Sequence, residues 1–130
     1  SNIEELGLQF NNDSTTGNYG YLRLYNNGNG GVQGQVGTGP QSVDDFPASS
    51  NGSAIIWDIG NYADSSVGTN CLVQWARDGW QGNGQKGVGG SNYQVASAVT
   101  RLDIRSNYTT SGYYLEAPGT FALFGIGKAA

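Results

Sequence analysis

Hydrophobic and polar residues alternate along several short stretches of this chain, as they do in β-strands that bury one face. Residues typical of turns separate these stretches, and none of them has the ten-residue apolar stripe of an amphipathic helix. The alternating stretches run from Leu6 to Phe10, Tyr19 to Tyr25, Ser53 to Ile59, Asn70 to Ala76, Val99 to Arg105 and Thr120 to Ile126. The pattern predicts an all-β protein of six to eight strands.

The same alternation predicts how the strands pair and which side chains are buried. The turn-like stretch from Asn11 to Asn18 predicts a hairpin between the first two strands, the Val32 and Val36 pair predicts a weak edge strand, and the glycine-rich stretch from Arg77 to Asn92 predicts a loop. The predicted core residues are Leu6, Leu8, Phe10, Leu22, Leu24, Ile55, Trp57, Ile59, Val73, Trp75, Leu102, Ile104, Phe121, Leu123 and Ile126. Short strands at this spacing are typical of an antiparallel β-sandwich, jelly-roll-like, formed by a single domain over residues 1–130.

Composition narrows the classes of function. The chain has 130 residues, a net charge of −4 and 12% charged residues, and 22 of its residues are glycine. An acidic chain with six scattered basic residues lacks the clustered cations that nucleic-acid binding requires. No apolar run approaches the ~20 residues of a membrane-spanning helix. We therefore expect no nucleic-acid partner and no membrane insertion. The chain begins at Ser1 and contains no Met, which fits either a complete small protein or a fragment.

The reactive residues do not form a recognisable catalytic pattern. The sequence has no histidine, which excludes a Ser-His-Asp triad and any His-ligated metal, and the single Cys71 allows no intrachain disulfide. The Gly82–Gly87 stretch matches a G-x-G-x-x-G string, but the glycine-rich sequence after it is not typical of a helix. No spacing marks a pair of carboxylates. We expect a non-enzymatic protein without cofactor or metal.

Aromatic residues in or beside predicted loops are the best candidates for binding. A Trp or Tyr ring covers the apolar face of a sugar while neighbouring amides bind its hydroxyl groups, and the same residue types dominate protein interfaces. The predicted glycan or partner contacts are Trp80, Tyr62, Tyr93, Tyr108 and Tyr113.

Three stretches resemble a known family. The C-terminal part has Ala98-Val-Thr-Arg-Leu-Asp-Ile-Arg-Ser and then Pro118-Gly-Thr-Phe-Ala-Leu-Phe-Gly-Ile; the opening has Leu8-Gln-Phe-Asn-Asn-Asp-Ser, and the middle has Ile56-Trp-Asp-Ile-Gly-Asn-Tyr-Ala. In this order they resemble structural domains of tailed bacteriophages that occur in tail-fibre, tail-tip and other virion-surface proteins. Phe124 stands where that family commonly has Tyr, and the long glycine-rich stretches are not a family signature.

The resemblance implies a β-sandwich on the virion surface, on the tail or the capsid exterior, that forms a homotrimer and has no catalytic activity. Its partners would be other virion proteins and a host cell-surface glycan, and its role would be virion structure or host attachment. Two alternatives remain open: a capsid decoration protein, and a free carbohydrate-binding module. A small polysaccharide-cleaving enzyme that uses two of the loop carboxylates is a third hypothesis.

Overall fold

A computed structural model describes residues 3–26, 31–39, 41–47, 53–77, 84–106 and 120–125. These residues form eight β-strands and one turn of 3-10 helix at Thr16–Asn18. The strands are β1 (Ile3–Phe10), β2 (Tyr19–Asn26), β3 (Val32–Thr38), β4 (Gln41–Pro47), β5 (Ser53–Gly60), β6 (Thr69–Arg77), β7 (Gln85–Tyr93) and β8 (Leu102–Ser106).

The strands form two antiparallel sheets that pack face to face. The smaller sheet has the order β4-β1-β8 and the larger has the order β3-β2-β7-β6-β5. Leu8 and Phe10 of the smaller sheet form a buried cluster with Tyr19, Cys71 and Tyr93 of the larger one. This arrangement confirms the predicted all-β antiparallel sandwich.

The core contains most of the residues that alternation predicted on β1, β5, β6 and β8. Leu8, Phe10, Val73 and Trp75 are buried. Five half-buried side chains pack against them: Ile55, Trp57, Ile59, Leu102 and Ile104. Val32 and Val36 lie on β3, which is an edge strand as predicted.

The inward face of β2 differs from the prediction. Leu22 and Leu24 were predicted in the core but are exposed, whereas Tyr19 and Arg23 of the same strand are buried. The Arg23 guanidinium lies 5.7 Å from the Tyr21 ring centroid and donates from Nε to Gln35 Oε1 over 2.8 Å. Because alternate side chains of a strand point to opposite faces, burial of Tyr19 and Arg23 sends the two leucines outward.

The predicted hairpin between β1 and β2 is also wrong, because these strands lie in different sheets. The connection turns sharply at Asn11 and Asn12, whose φ angles of 53° and 57° are in the left-handed region that asparagine tolerates. Asn11 donates from Nδ2 to the Ala98 carbonyl over 3.0 Å and accepts from the Thr100 N–H over 2.8 Å. These bonds fix the crossing against the segment that leads into β8.

Half of the stretch predicted as a glycine-rich loop belongs to β7, which lies in the larger sheet between β2 and β6. Arg77 is the last residue of β6, and residues 78–83 lie outside the described part. In register, Gly87 stands opposite Tyr25 on one side and opposite Trp75 on the other. A Cβ atom at Gly87 would clash with the Trp75 indole ring. The glycine is therefore required by packing, since the Trp75 ring occupies the space that a side chain would need.

The predicted C-terminal strand is not formed by the residues described there. Thr120–Gly125 has no regular secondary structure, and Phe121, Leu123 and Phe124 are exposed. Without a paired neighbouring strand to carry them into the core, these side chains remain in solvent. The predicted core positions Phe121 and Leu123 are thus wrong, while Ile126 and the side chain of Leu6 lie outside the described part.

The turn after β1 is held by the carboxylate of Asp13. It accepts hydrogen bonds from the Thr15 N–H at 2.9 Å, from Asn18 Nδ2 at 2.7 Å and from the Tyr93 hydroxyl at 3.0 Å. The hydrogen bond from Asn18, followed by those from Thr15, lowers the pKa of Asp13 from its ordinary 3.8 to about 2. The hydrogen bonds of the folded chain therefore favour the ionised form of the Asp13 carboxylate.

We predict that Gly87→Ala destabilises the fold by ~1–3 kcal/mol, because the new methyl group overpacks the core against Trp75. Gly90→Ala is the matched control in the same strand, since its Cβ would lie 3.7 Å from Leu72 Cδ2, an ordinary contact, and should change stability by less than ~0.5 kcal/mol. Urea unfolding measures both. Equal stability of the two variants would contradict the packing of Trp75 over Gly87.

We also predict that Asp13 makes stability depend on pH in acid. Because its folded-state pKa is depressed, its contribution is complete above the ordinary pKa and is lost as pH falls from about 4 towards about 2. In thermal unfolding across this range, Asp13→Asn should lose stability less steeply than the wild type. In Asn18→Ala, the Asp13 contribution to stability should be lost completely at a higher pH than in the wild type, because the hydrogen bond that lowers the pKa most is removed. If both variants have the same pH profile as the wild type, Asp13 is not the group that makes stability depend on pH.

Candidate interaction surface

The outward-pointing positions of the larger sheet form a continuous apolar surface, here called the outer face. Leu24 is paired with Gly34 on one side and with Val88 on the other. The same row continues through Gln74 to Ile56 at the edge strand. The register therefore carries apolar side chains from β2 to β5 along one row.

A second apolar row lies directly beside the first. Leu22 is paired with Val36 and with Gly90, and Gly90 is paired with Leu72. The large apolar side chains of the outer face are between 45% and 75% exposed: Leu22, Leu24, Val32, Val36, Ile56, Leu72 and Val88. Large side chains therefore lie on both faces of β2, with Tyr19 and Arg23 buried behind the sheet and Leu22 and Leu24 exposed in front of it.

Polar and small residues border these rows. At the end of the sheet near the start of β2, the outward positions are Gly20, Thr38, Asn70 and Asn92, and at the other end they include Asn26 and Lys86. The outer face carries two charged residues, Lys86 on β7 and Asp58 on β5, both exposed. Interaction surfaces commonly combine an apolar centre with a polar rim.

An open groove of about 510 Å³ follows the outer face across the strands. Its lining includes Leu24, Val32, Ile56, Val88 and the stem of Lys86. Five strands at ~4.8 Å spacing and about seven residues of each strand give the outer face roughly 550 Å². This area includes the polar rim, and an exposed apolar patch of a few hundred Å² at its centre is often functional on a soluble domain.

The structure separates the aromatic residues that the sequence grouped as binding candidates. Tyr62 lies in the connection between β5 and β6 with an exposed ring, and its carbonyl accepts a hydrogen bond from the Val99 N–H over 2.6 Å. Trp80, Tyr108 and Tyr113 lie outside the described residues.

Tyr93 does not occupy the exposed loop position that was predicted. It ends β7 and is 2% exposed, with its ring centroid 4.9 Å from that of Tyr19 and 5.6 Å from that of Phe10. Burial, followed by its contact with Asp13, raises the pKa of Tyr93 to about 12. The phenol is therefore a neutral donor that supports the turn, and its ring is not available for stacking on a ligand.

The outer face was missed by the sequence analysis because both faces of Tyr19–Tyr25 carry large side chains. Alternation alone does not decide which set is inward. One usable signal was that Tyr19 and Arg23 are long side chains that end in a hydrogen-bonding group. A buried Tyr19 can therefore donate to the Asp13 carbonyl, and a buried Arg23 can donate to Gln35. A second signal was Gly87, since a glycine facing the core in one strand indicates a large neighbour.

Three of the described reactive side chains, Asp64, Asp103 and Cys71, have local contacts or burial that account for them. Asp64 accepts hydrogen bonds from the N–H and the hydroxyl of Ser66, and Asp103 pairs with Arg101 over 2.7 Å. Burial raises the pKa of the Cys71 thiol to about 12, which keeps it protonated. The described residues contain no cluster of three or more His, Cys, Asp or Glu that could hold a metal ion.

Among the residues described, no helix is long and apolar enough to cross a membrane. Comparisons with protein-family models, with curated proteins and with solved structures found no match for this chain.

We predict that Leu24→Ala and Val73→Ala have very different effects on stability. Leu24 is 45% exposed on the outer face and Val73 is 1% exposed in the core. In a dilute sample Leu24→Ala should cost less than ~0.5 kcal/mol, whereas Val73→Ala should cost about 2 kcal/mol or more through the cavity it leaves. Urea unfolding of both variants, followed by tryptophan fluorescence, makes the comparison. A larger loss for Leu24→Ala would place the leucine face of β2 in the core.

Proposed function

We propose that this chain is a non-enzymatic structural protein of a tailed-bacteriophage virion surface, and that the outer face is its assembly surface. The observation that carries the assembly role is the exposed apolar outer face, with six large apolar side chains in two adjacent rows and Val32 beside them in the next row. An open apolar sheet face of this kind is costly to leave in water and is stabilised when another surface covers it.

The virion assignment rests on the sequence resemblance. The Leu8–Ser14 stretch includes the end of β1 and the turn held by Asp13, which accepts a hydrogen bond from the Tyr93 hydroxyl. The Ile56–Ala63 stretch includes the end of β5 and the exposed loop of Tyr62, whose carbonyl accepts a hydrogen bond from the Val99 N–H. We place the protein in a tail fibre or tail tip for host attachment, with other virion proteins and further copies of itself, in a homotrimer, as partners.

Capsid decoration is the alternative within the same class. It uses the outer face in the same manner, as a contact surface in an ordered array, and it differs in the number of copies for each particle. An apolar assembly surface fits both locations, so position in the particle distinguishes them.

Carbohydrate binding is the alternative from a different class, and it would need a surface other than the outer face. Sugar sites use aromatic rings as stacking platforms, whereas the outward positions of the larger sheet carry aliphatic, small and polar side chains. The exposed ring of Tyr62 is the feature that favours this alternative. Loss of glycan binding in Tyr62→Ala, with the fold retained, would support it.

We predict that the chain is present on the exterior of purified particles of the virus that encodes it. Quantitative mass spectrometry gives the copy number, and antibody-labelled electron microscopy gives the position. A few tens of copies or fewer at the tail would support attachment, and hundreds over the head would support decoration. Absence from particles would contradict the virion role and leave the carbohydrate-binding alternative.

A further inference from the structure

The two charged side chains of the outer face, Lys86 and Asp58, are too far apart to form an ion pair within one copy. Lys86 is two strands away from the β5 strand that carries Asp58, because β6 lies between β7 and β5. Along the strand direction the two residues are four positions apart, since Lys86 aligns with Ala76 and Asp58 with Leu72. Strand spacing and rise put their Cα atoms roughly 17 Å apart, which exceeds the reach of both side chains.

One cation and one anion at separate places on a single apolar surface are self-complementary under two-fold symmetry. In an isologous contact, a residue of one copy that meets a second residue on its partner is matched by the reverse contact. If Lys86 meets Asp58 of the partner subunit, the partner's Lys86 meets Asp58 at the same time. Both charges of each copy are then paired, and the apolar side chains between and beside the two charges face the partner copy.

The size of the outer face agrees with such a contact. Two copies that cover roughly 550 Å² each would bury about 1,100 Å² in total, just above the ~1,000 Å² expected of a biological contact and just below the ~1,200 Å² at which standard specific interfaces begin. The central side chains are mostly aliphatic or small, with Gln74 between Val88 and Ile56, and further polar residues lie at both ends of the sheet.

We propose that the outer face binds the same face of a second copy of this chain in a two-fold dimer, with Lys86 of each copy paired to Asp58 of the other. This inference deepens the proposed assembly role and rests on it. On the number of copies it departs from the homotrimer that the resemblance implies: a two-fold dimer sets this face against the same face of a second copy, whereas a trimer would set it against a different surface of the neighbouring copy.

Reversing the charges of Lys86 and Asp58 tests the pairing directly, with the oligomeric state measured by sedimentation equilibrium. The samples are the wild type, K86E, D58K, the K86E/D58K double variant and an equal mixture of the two single variants. The wild type should be a dimer. Each single reversal should raise Kd at least about tenfold, because it sets like charges opposite each other twice for each dimer. A K86E copy has two negative charges and a D58K copy two positive charges on this face. Their mixture, and the double variant, should therefore recover dimers.

A matched pair of apolar substitutions tests the same surface without using the charges. Val88→Asp lies at the centre of the outer face and should abolish the dimer, whereas Val67→Asp, 43% exposed in the connection between β5 and β6, should leave it intact. Far-UV circular dichroism confirms that each variant folds, and both positions are exposed in the single chain.

Three results would overturn the inference: a monomeric wild type, a trimeric mass, or single reversals that associate as tightly as the wild type. A monomer that is nevertheless found on particles would remove the two-fold contact and retain the structural role. A dimer that is absent from particles would retain the contact and remove the virion role.

Discussion

The inward orientation of Tyr19 determines how the larger sheet presents its two faces. The Tyr19 hydroxyl accepts a hydrogen bond from the Phe10 N–H over 3.1 Å and donates to the Asp13 carbonyl over 2.8 Å. A ring fixed in the core at the first position of β2 sets the parity of the whole strand, because side chains alternate between faces. Arg23 is then inward, and Leu22 and Leu24 are outward. The exposed outer face is therefore a consequence of a polar contact at the opposite end of the strand.

The glycines of β7 make this orientation sterically possible. At Gly87 and Gly89, β7 has no side chain towards the core, and these positions align with Tyr25 and Arg23 of β2 and with Trp75 and Val73 of β6. Large groups from both neighbouring strands can then share the space above β7. On the other side of the sheet, Val88 continues the apolar row between Leu24 and Gln74. β7 therefore leaves space for its neighbours' side chains on the core side and contributes Val88 to the apolar row on the outer side.

The sequence predicted the fold where one face of a strand was clearly apolar and the other clearly polar. Leu8 and Phe10 are buried as predicted. The prediction failed at Leu22 and Leu24 because the opposite face carries tyrosines and an arginine that are also large enough to pack, and it failed at β7 because a glycine-rich strand has no alternation. The outer face could not be predicted for the same reason, because an exposed apolar face cannot be recognised until it is known which residues of the strand point inward. Tyr93 was misplaced for a related reason, since a tyrosine in a glycine-rich stretch resembles a loop residue.

We propose that the outer face, which is exposed in the single chain, becomes covered when the protein assembles. Hydroxyl-radical footprinting at low and high protein concentration measures this for each side chain. Leu24, Ile56 and Leu72 should be modified readily in the dilute chain and be protected several-fold on assembly, while Val67 and Tyr62 should be modified equally in both states. Protection of Val67 or Tyr62 with no change at Leu24, Ile56 and Leu72 would contradict it.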